Sequence, residues 1–426
     1  MMAARIRFHI LAAFVAFTML LGIYTATLWS PSETGTNFQM YYTAACLVRS
    51  GMSTHIYDVV DRNTNPQLLF ADPNTVFAQT AHAHGITRIT LYLYPPTLAD
   101  LVLPLTVLPP SAALLLWNAL GLLMLVGISF ALTRMLEITF RGSTLLVAVA
   151  LLLFRPTLNT LHWGQVTILL AFLLTIGLFL YARGHKGIAA LLFVLAIAIK
   201  LEPIVILIPL LAWRDWKCLR SIAMWSVLVL LGLWAVNGTE ALRLYFLHQL
   251  PSMSRGDLGS GGFDVNRSLG NIFYAWLGGT HPVLSPSLLA WLVRIVSALI
   301  LGYAGWLSRT QPGESLASRR QFEIGLVFLL FACCLSPYSW FYNWALSAPV
   351  IVLLCKRTWD GSAGLAETTL LIALLVSLLT TKFNMAMVSP IFGVVLSLVV
   401  LYRMRLERRS AAAGGPVPEL KPVSAA

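Results

Sequence analysis

Residues 112–133 read AALLLWNALGLLMLVGISFALT, a run of 22 residues without a formal charge that ends on Arg134. As a helix rising 1.5 Å per residue, this run spans about 33 Å, enough to cross a hydrocarbon core about 30 Å thick. The rest of the chain follows suit. Hydrophobic residues fill 58% of the 426 positions and charged residues only 11%, against roughly 25% charged in ordinary globular domains. Mean hydropathy is +0.79. So few charges cannot cover a soluble fold with water-compatible surface, which excludes a cytosolic enzyme, a disordered chain and a fibrous repeat. Backbone polar groups in lipid must be satisfied within the protein. Continuous apolar runs of this length do that as helices, so the expected fold is an all-α polytopic membrane protein.

The formal charge of +12 raises nucleic acid as a partner, but the placement of the charges argues against it. Arg5 and Arg7 precede the first apolar run. Arg183 and Lys186 form a cluster, as do Arg214, Lys217 and Arg220, then Arg309, Arg319 and Arg320, then Lys356 and Arg357, then Arg403, Arg405, Arg408 and Arg409. These are short clusters between apolar runs, the distribution of the positive-inside rule. No basic face interleaved with aromatics is present. The expected partners are membrane lipids and lipid-borne molecules, with no nucleic acid. Cys46, Cys218, Cys333, Cys334 and Cys355 show no metal-ligand spacing and read as unpaired, structural residues.

Reading outward from both sides of residues 112–133 gives a topology. Ile10–Trp29 is a retained first span with its N-terminus in the cytoplasm, and Ser30–Thr90 is a long polar segment outside. Tyr94–Pro110 is apolar but short and bracketed by prolines, so it reads as an embedded, non-spanning helix on the outer side. Ser143–Phe154 runs outward and Val166–Ala182 inward. Ile188–Trp213 is split by Lys200-Leu201-Glu202-Pro203 and flanked by basic clusters, which predicts a hairpin of short helices with Lys200 near its outer tip. Ile222–Val236 leads to a second outer loop, Asn237–Ser268; Leu288–Leu307, Ile324–Leu335, Trp344–Cys355, Leu365–Thr381 and Val388–Tyr402 then alternate. The sum is a single domain over 1–409 with roughly 10–12 spans, outer loops at about 30–110 and 237–268 and both termini cytoplasmic. Residues 410–426, rich in Ala, Gly and Pro, read as a disordered cytoplasmic tail. The polar and aromatic residues at membrane depth fall on the outer side, which is therefore the expected active face.

Several short motifs occur in order along this frame. They are Asn37-Phe38-Gln39-Met40-Tyr41-Tyr42-Thr43-Ala44-Ala45 with Gly51 and Tyr57-Asp58; Tyr94-Pro95-Pro96 with Pro104-Leu105 and Leu108-Pro109; Gly164-Gln165; Ala198-Ile199-Lys200 with Pro203; Asn266-Arg267-Ser268; and Leu335-Ser336-Pro337-Tyr338-Ser339-Trp340. The set resembles glycosyltransferase family 87, polyprenyl-phosphate-mannose-dependent mannosyltransferases of the GT-C superfamily. The resemblance implies a GT-C-like bundle in a bacterial-type inner or plasma membrane. It also implies transfer of a hexose, with mannose expected, from a polyprenyl-phosphate donor to an outer-face lipid or glycan acceptor, with inversion. No cofactor and no metal are implied; the lipid-linked sugar is the substrate.

The sequence departs from the family at one decisive point. The position of the family's acid, before Phe-x-x-Tyr-Tyr, is Asn37 here. A general base must hold a proton, and an amide does not. Glu33 and Asp58 are the alternative acids, with an interfacial charge and a helix cap as their plain roles. Asp100 lies within the apolar Tyr94–Pro110 run and should face a cavity or pair with a cation; Arg294, inside another apolar run, pairs with Asp100 or binds a lipid phosphate. Lys200 binds the donor phosphate or pairs with Glu202; Arg267 binds phosphate through a bidentate fork or sits at lipid headgroups. Tyr41, Tyr42, Gln165, Asn266, Ser268 and Trp340 complete the candidate donor- and acceptor-binding set. An aromatic belt is the simpler account of Tyr41, Tyr42, Trp163, Trp340, Tyr342 and Trp344. Gly256–Gly262 lacks a phosphate loop's strand-to-helix context, and Asp257 and Asp264 make a weak metal pair. Two other function classes remain: a lipid-linked-sugar flippase or transporter, which broken helices and intramembrane charges also suit, and a non-catalytic glycolipid-binding relative.

Overall fold

A computed structural model describes residues 2–27, 34–58, 74–90, 92–251, 266–277, 284–310, 316–336, 339–379 and 388–412. Among them the chain is helical throughout, and the one β-bridge, between Asn266 and Trp340, stands outside any strand. Four helices are long and apolar enough to cross a bilayer: Pro110–Met135, Trp216–Gln249, Ser287–Ser308 and Ser389–Ala411. Ser143–Leu153 and Arg155–Trp163 add a fifth as a pair bent by 68°. Among the described residues that makes four or five spans where ten to twelve were expected; Thr167–Ala182, Lys186–Ile199 and Glu202–Ala212 are apolar but shorter.

The breaks have local causes. At the 68° bend Phe154 is extended and Pro156 opens the next helix, a position proline tolerates because the first-turn N–H has no helical partner. The expected hairpin also forms. Its first arm is α1 (Lys186–Ile199); Lys200 is extended at φ −155°, and a short 3₁₀ turn (Glu202–Ile206) leads into α2 (Leu207–Ala212). Pro203 removes a donor, so the helix cannot run through. The Nζ of Lys186 donates to Asp215, and Tyr181 Oη donates to the same carboxylate at 2.7 Å, so the two ends of the hairpin meet at its base.

The long polar segment after the first span differs from its expected form. Within it lies α3 (Thr36–Arg49), whose Phe38, Tyr41 and Tyr42 are among the largest fully buried side chains of the molecule. Trp344 is fully buried as well. These residues are core, not an interfacial belt. The close fit of α3 depends on Gly164, at φ +65°, where a Cβ would stand 2.6 Å from that of Phe38. The second outer loop also begins later than expected: the helix α4 (Trp216–Arg243) continues past Asn237, bends at Gly238 and passes into a π-helical turn, Leu244–Gln249. The last helix runs to Ala412, past the boundary at 409.

The two ends of the bundle differ. At one end α5 (Thr167–Ala182) begins, α1 ends, and α6 (Ser318–Leu335) ends. At the other lie the expected basic clusters, some of them matched by acids. Arg319 pairs with Glu137 at 2.8 Å and Glu323 at 2.9 Å; Arg320 and Arg357 both reach Glu407 at 2.9 Å. Arg357 and Glu367 are buried together, and Arg7 of the first span donates to Ala363 O.

Candidate functional site

The end without the ion-pair network gathers the ordered motifs into one cluster. Gln165 sits just past the left-handed Gly164 and is buried; its Oε1 accepts from Tyr41 Oη at 2.8 Å and from Tyr94 Oη at 3.0 Å. The rings of Tyr41 and Tyr94 meet edge to face at 5.1 Å. One acceptor atom thus ties α3, the Tyr-Pro-Pro turn and the start of α5. Lys200 Nζ lies 6.0 Å from the Tyr94 ring and pairs with Glu202 Oε1 at 3.0 Å. Ser336 Oγ donates to the same oxygen at 2.8 Å, while Glu202 Oε2 is buried and makes no hydrogen bond among the described residues. The hairpin tip is thereby joined to the end of α6.

The segment after Ser336 carries the third part. Asn266 bridges Trp340, its Oδ1 accepts from Ser339 N at 2.9 Å, and Arg267 N donates to Ser339 O at 2.6 Å. Ser268 Oγ accepts from Asn271 N at 3.1 Å, capping the helix Leu269–Leu277. Arg267 is buried, lies 4.5 Å from the Phe341 ring centre and donates Nη1 to Ser377 O at 3.2 Å. Arg155, from the bend, is also buried and lies 5.0 Å from the same ring. Burial first, and then the Arg155 charge, push Arg267 down to about 9, so it remains a cation at neutral pH. Two guanidiniums brought onto one ring repel each other. Trp340 is half-buried and stacks on Tyr342 at 6.2 Å.

The other sequence-derived candidates divide. Asn37 is half-buried in the first turn of α3, one turn before Tyr41, and its amide makes no hydrogen bond among the described residues. Glu33 lies outside the described residues, as do Asp257, Asp264 and Gly256–Gly262. Asp58 contacts His55 Nδ1 at 3.2 Å and accepts from Val76 N at 3.1 Å, the amide opening the helix Val76–Ala83; the cap is its observed engagement. Tyr42 Oη donates to Leu108 O at 2.8 Å, which fixes α3 to the chain entering residues 110–135. Asp100 takes an amide rather than the expected cation: Asn237 Nδ2 donates to both its oxygens, at 3.0 and 2.9 Å. Arg294 lies 5.1 Å from the Trp291 ring. Among the described residues no group of three His, Cys, Asp or Glu is placed to hold a metal.

Glu202, Tyr94, Ser336 and Arg155 are the functional candidates that the sequence list omits. The signal for Glu202 was present: an acid two residues from Lys200, in an otherwise apolar run, must be paired or functional. Arg155 gave no such signal, because its approach to Arg267 depends on the 68° bend.

Fold and site together define a polytopic α-helical membrane protein. A polar, aromatic cluster lies at one end of its bundle, built from short motifs far apart in the chain. Comparison with known proteins gives the particular family: the chain belongs to glycosyltransferase family 87, whose model matches residues 92–337. The chain is also similar to a curated protein of Mycolicibacterium smegmatis, a polyprenol-phosphate-mannose-dependent alpha-(1-2)-phosphatidylinositol pentamannoside mannosyltransferase, at 26% identity over 280 residues. That match covers 64% of this chain and 63% of the relative, so the chain spans less than two thirds of the relative's length. No solved structure matches the chain.

Proposed function

We propose that the chain transfers a mannosyl group from a polyprenyl-phosphate donor to a hydroxyl of a lipid or glycan acceptor on the outer face of the membrane. The observation that carries this reading is the Lys200–Glu202 pair, set at a broken-helix tip beside Tyr94 and Gln165 and held by Ser336. In the reaction the acceptor oxygen attacks the anomeric carbon, the bond from that carbon to the phosphate oxygen breaks, and polyprenyl phosphate leaves with the electron pair. The hydroxyl proton needs a base. Glu202 is the carboxylate among these motifs, and its buried Oε2 is free of other hydrogen bonds. Lys200 serves the leaving group: when donor phosphate arrives, the ammonium turns from Glu202 to the phosphate, and the carboxylate is left to accept the acceptor's proton. Arg267 and Arg155 supply a second cationic surface, linked to Lys200 through Ser336–Trp340. Asn37 orients the acceptor rather than deprotonating it.

The mannose preference rests on the named relative and on the family. Placement of the site outside, with both termini inside, rests on the basic clusters gathered at the opposite end. Cys46 and Cys218 are buried, so sidedness is tested with cysteines at exposed positions, Thr54→Cys at the site end and Lys217→Cys at the other. An impermeant thiol reagent applied to intact cells should label the first and not the second; the reverse pattern would overturn the assignment of sides. Function is tested by giving the purified protein a panel of polyprenyl-phosphate sugars and an acceptor extract. Transfer of mannose in preference to other sugars is expected. Movement of donor across a vesicle membrane without transfer would favour the flippase reading instead.

A further inference from the structure

A cavity lies at the base of the hairpin, opposite its Lys200 tip. It has a volume of about 560 Å³ and is lined by Tyr181, Lys186, Trp213 to Lys217 and Arg220. The α5 helix, sixteen residues from Thr167 to Ala182, separates it from the cluster around Gln165, a distance of about 24 Å at 1.5 Å per residue. It is therefore distinct from the candidate active site, and none of its residues touches that site.

The cavity has a rigid floor and a cationic rim. Tyr181 stacks on Trp213 at 5.7 Å, Trp213 Nε1 donates to Ser308 O at 3.1 Å, and Asp215 caps α4 through Cys218 N at 3.2 Å. Asp215 also receives Lys186 and Tyr181. Burial raises its pKa, but these donors outweigh burial and keep it below the usual carboxylate range. Asp215 is thus a fixed anion that neutralises Lys186 alone. Arg214, Lys217 and Arg220 remain: all three are exposed, and among the described residues none forms an ion pair. Arg214 is held at φ +55°, a left-handed backbone that a non-glycine residue keeps only when its surroundings impose it. Arg319, Arg320 and Arg357 at the same end contrast with these, since each is matched by glutamates.

An exposed apolar surface begins at the rim. Trp216, Met224, Val227, Leu231 and Trp234 of α4 are all exposed along the helix that leads away from the cavity into the membrane. A cavity with three unmatched cations beside a lipid-facing apolar helix offers a phosphate site and an acyl-chain track together. Soluble phosphate uses only the first; a phospholipid uses both. We infer that this cavity is a binding site for an anionic phospholipid, whose phosphate headgroup sits among Arg214, Lys217 and Arg220 while its acyl chains lie along α4.

The inference is tested on the full-length purified protein. Phosphatidylglycerol or cardiolipin is titrated into delipidated protein in a zwitterionic detergent, with lipid occupancy read by native mass spectrometry and stability by thermal unfolding. Phosphatidylcholine, glycerol phosphate and inorganic phosphate form the comparison arms. Each cation near an anionic headgroup contributes about 1 kcal/mol, about a fivefold change in binding. R214Q/K217Q/R220Q should therefore raise half-saturation by the anionic lipid tenfold to a hundredfold and abolish the rise in Tm that it gives the wild type. If that variant does not fold, K217Q and R220Q, each at an exposed position, carry the test with a severalfold shift apiece. Equal binding of phosphatidylcholine, or unchanged anionic-lipid binding in the folded variants, would overturn the inference. Equal stabilisation by inorganic phosphate would also overturn it, because the site would then be a phosphate site without a lipid track.

Discussion

At the basic end of the bundle Arg319, Arg320, Arg357 and Arg403 are tied to glutamates in one network, whereas at the motif end charges are few and most polar groups meet tyrosines, amides or backbone. Glu367 and Arg357 at the first end are buried and bonded in a network that includes Glu407 and Arg403. Lys200 and Glu202 at the second form a single pair, beside Tyr94 and Ser336. The difference separates two uses of charge in a mostly apolar protein. Matched networks cross-tie helix ends and their loss is felt in stability. An isolated pair with one free carboxylate oxygen can exchange partners, and its loss is felt in function.

That contrast orders the expected effects of mutation. Glu367→Gln should cost the most stability: breaking a buried ion pair from one side costs about 3–5 kcal/mol. The thermal midpoint should fall markedly while turnover per folded molecule stays unchanged; a turnover defect with an unchanged midpoint would erase the contrast. Lys200→Gln should do the opposite, weakening donor affinity tenfold to a hundredfold for a charge-assisted phosphate contact of about 1.5–3 kcal/mol, with Lys200→Arg retaining part of it. Donor-binding measurements on the folded variants decide the matter, and unchanged affinity in Lys200→Gln would return the residue to a purely structural pairing with Glu202. Gly164→Ala tests the seam between α3 and the Gln165 turn. A left-handed alanine costs about 1–2 kcal/mol, and its Cβ would press on Phe38. A modest fall in midpoint is expected together with slower transfer, because Tyr41 and Gln165 move apart. The smallest effect belongs to Asn37→Asp. With Glu202 as base, a second carboxylate adds nothing, and transfer should stay level or fall; a rise of a hundredfold would place the base at position 37 instead.

Much of this arrangement was legible in the sequence. Pro203 and the flanking basic clusters were enough to place the hairpin and its tip, because proline and charge act locally and unconditionally. The motifs were visible one by one, and the alternation of spans put them on a common end. The buried α3 was not legible: Asn37, Gln39, Tyr41, Tyr42 and Thr43 give it the composition of a polar loop, and only partners far along the chain, Leu108 and Gln165, hold its two tyrosine hydroxyls inward. The same holds for Asp100, whose amide partner Asn237 lies on a helix that composition had ended at Val236. Sequence reading also ranked Glu202 as no more than a partner for Lys200, since nothing local reveals that Ser336 shares one of its oxygens and leaves the other buried.

The central claim is that this chain is a polyprenyl-phosphate-dependent sugar transferase whose base is Glu202. It is tested most directly by single-turnover transfer of labelled mannose from polyprenyl-phosphate mannose, comparing the wild type with Glu202→Gln at saturating donor. The account predicts transfer by the wild type and a loss of roughly a hundredfold to ten-thousandfold in Glu202→Gln, with donor affinity held or tightened because Lys200 is released to the phosphate. Equal transfer rates in the two proteins, or absence of transfer by the folded, donor-binding wild type, would contradict it.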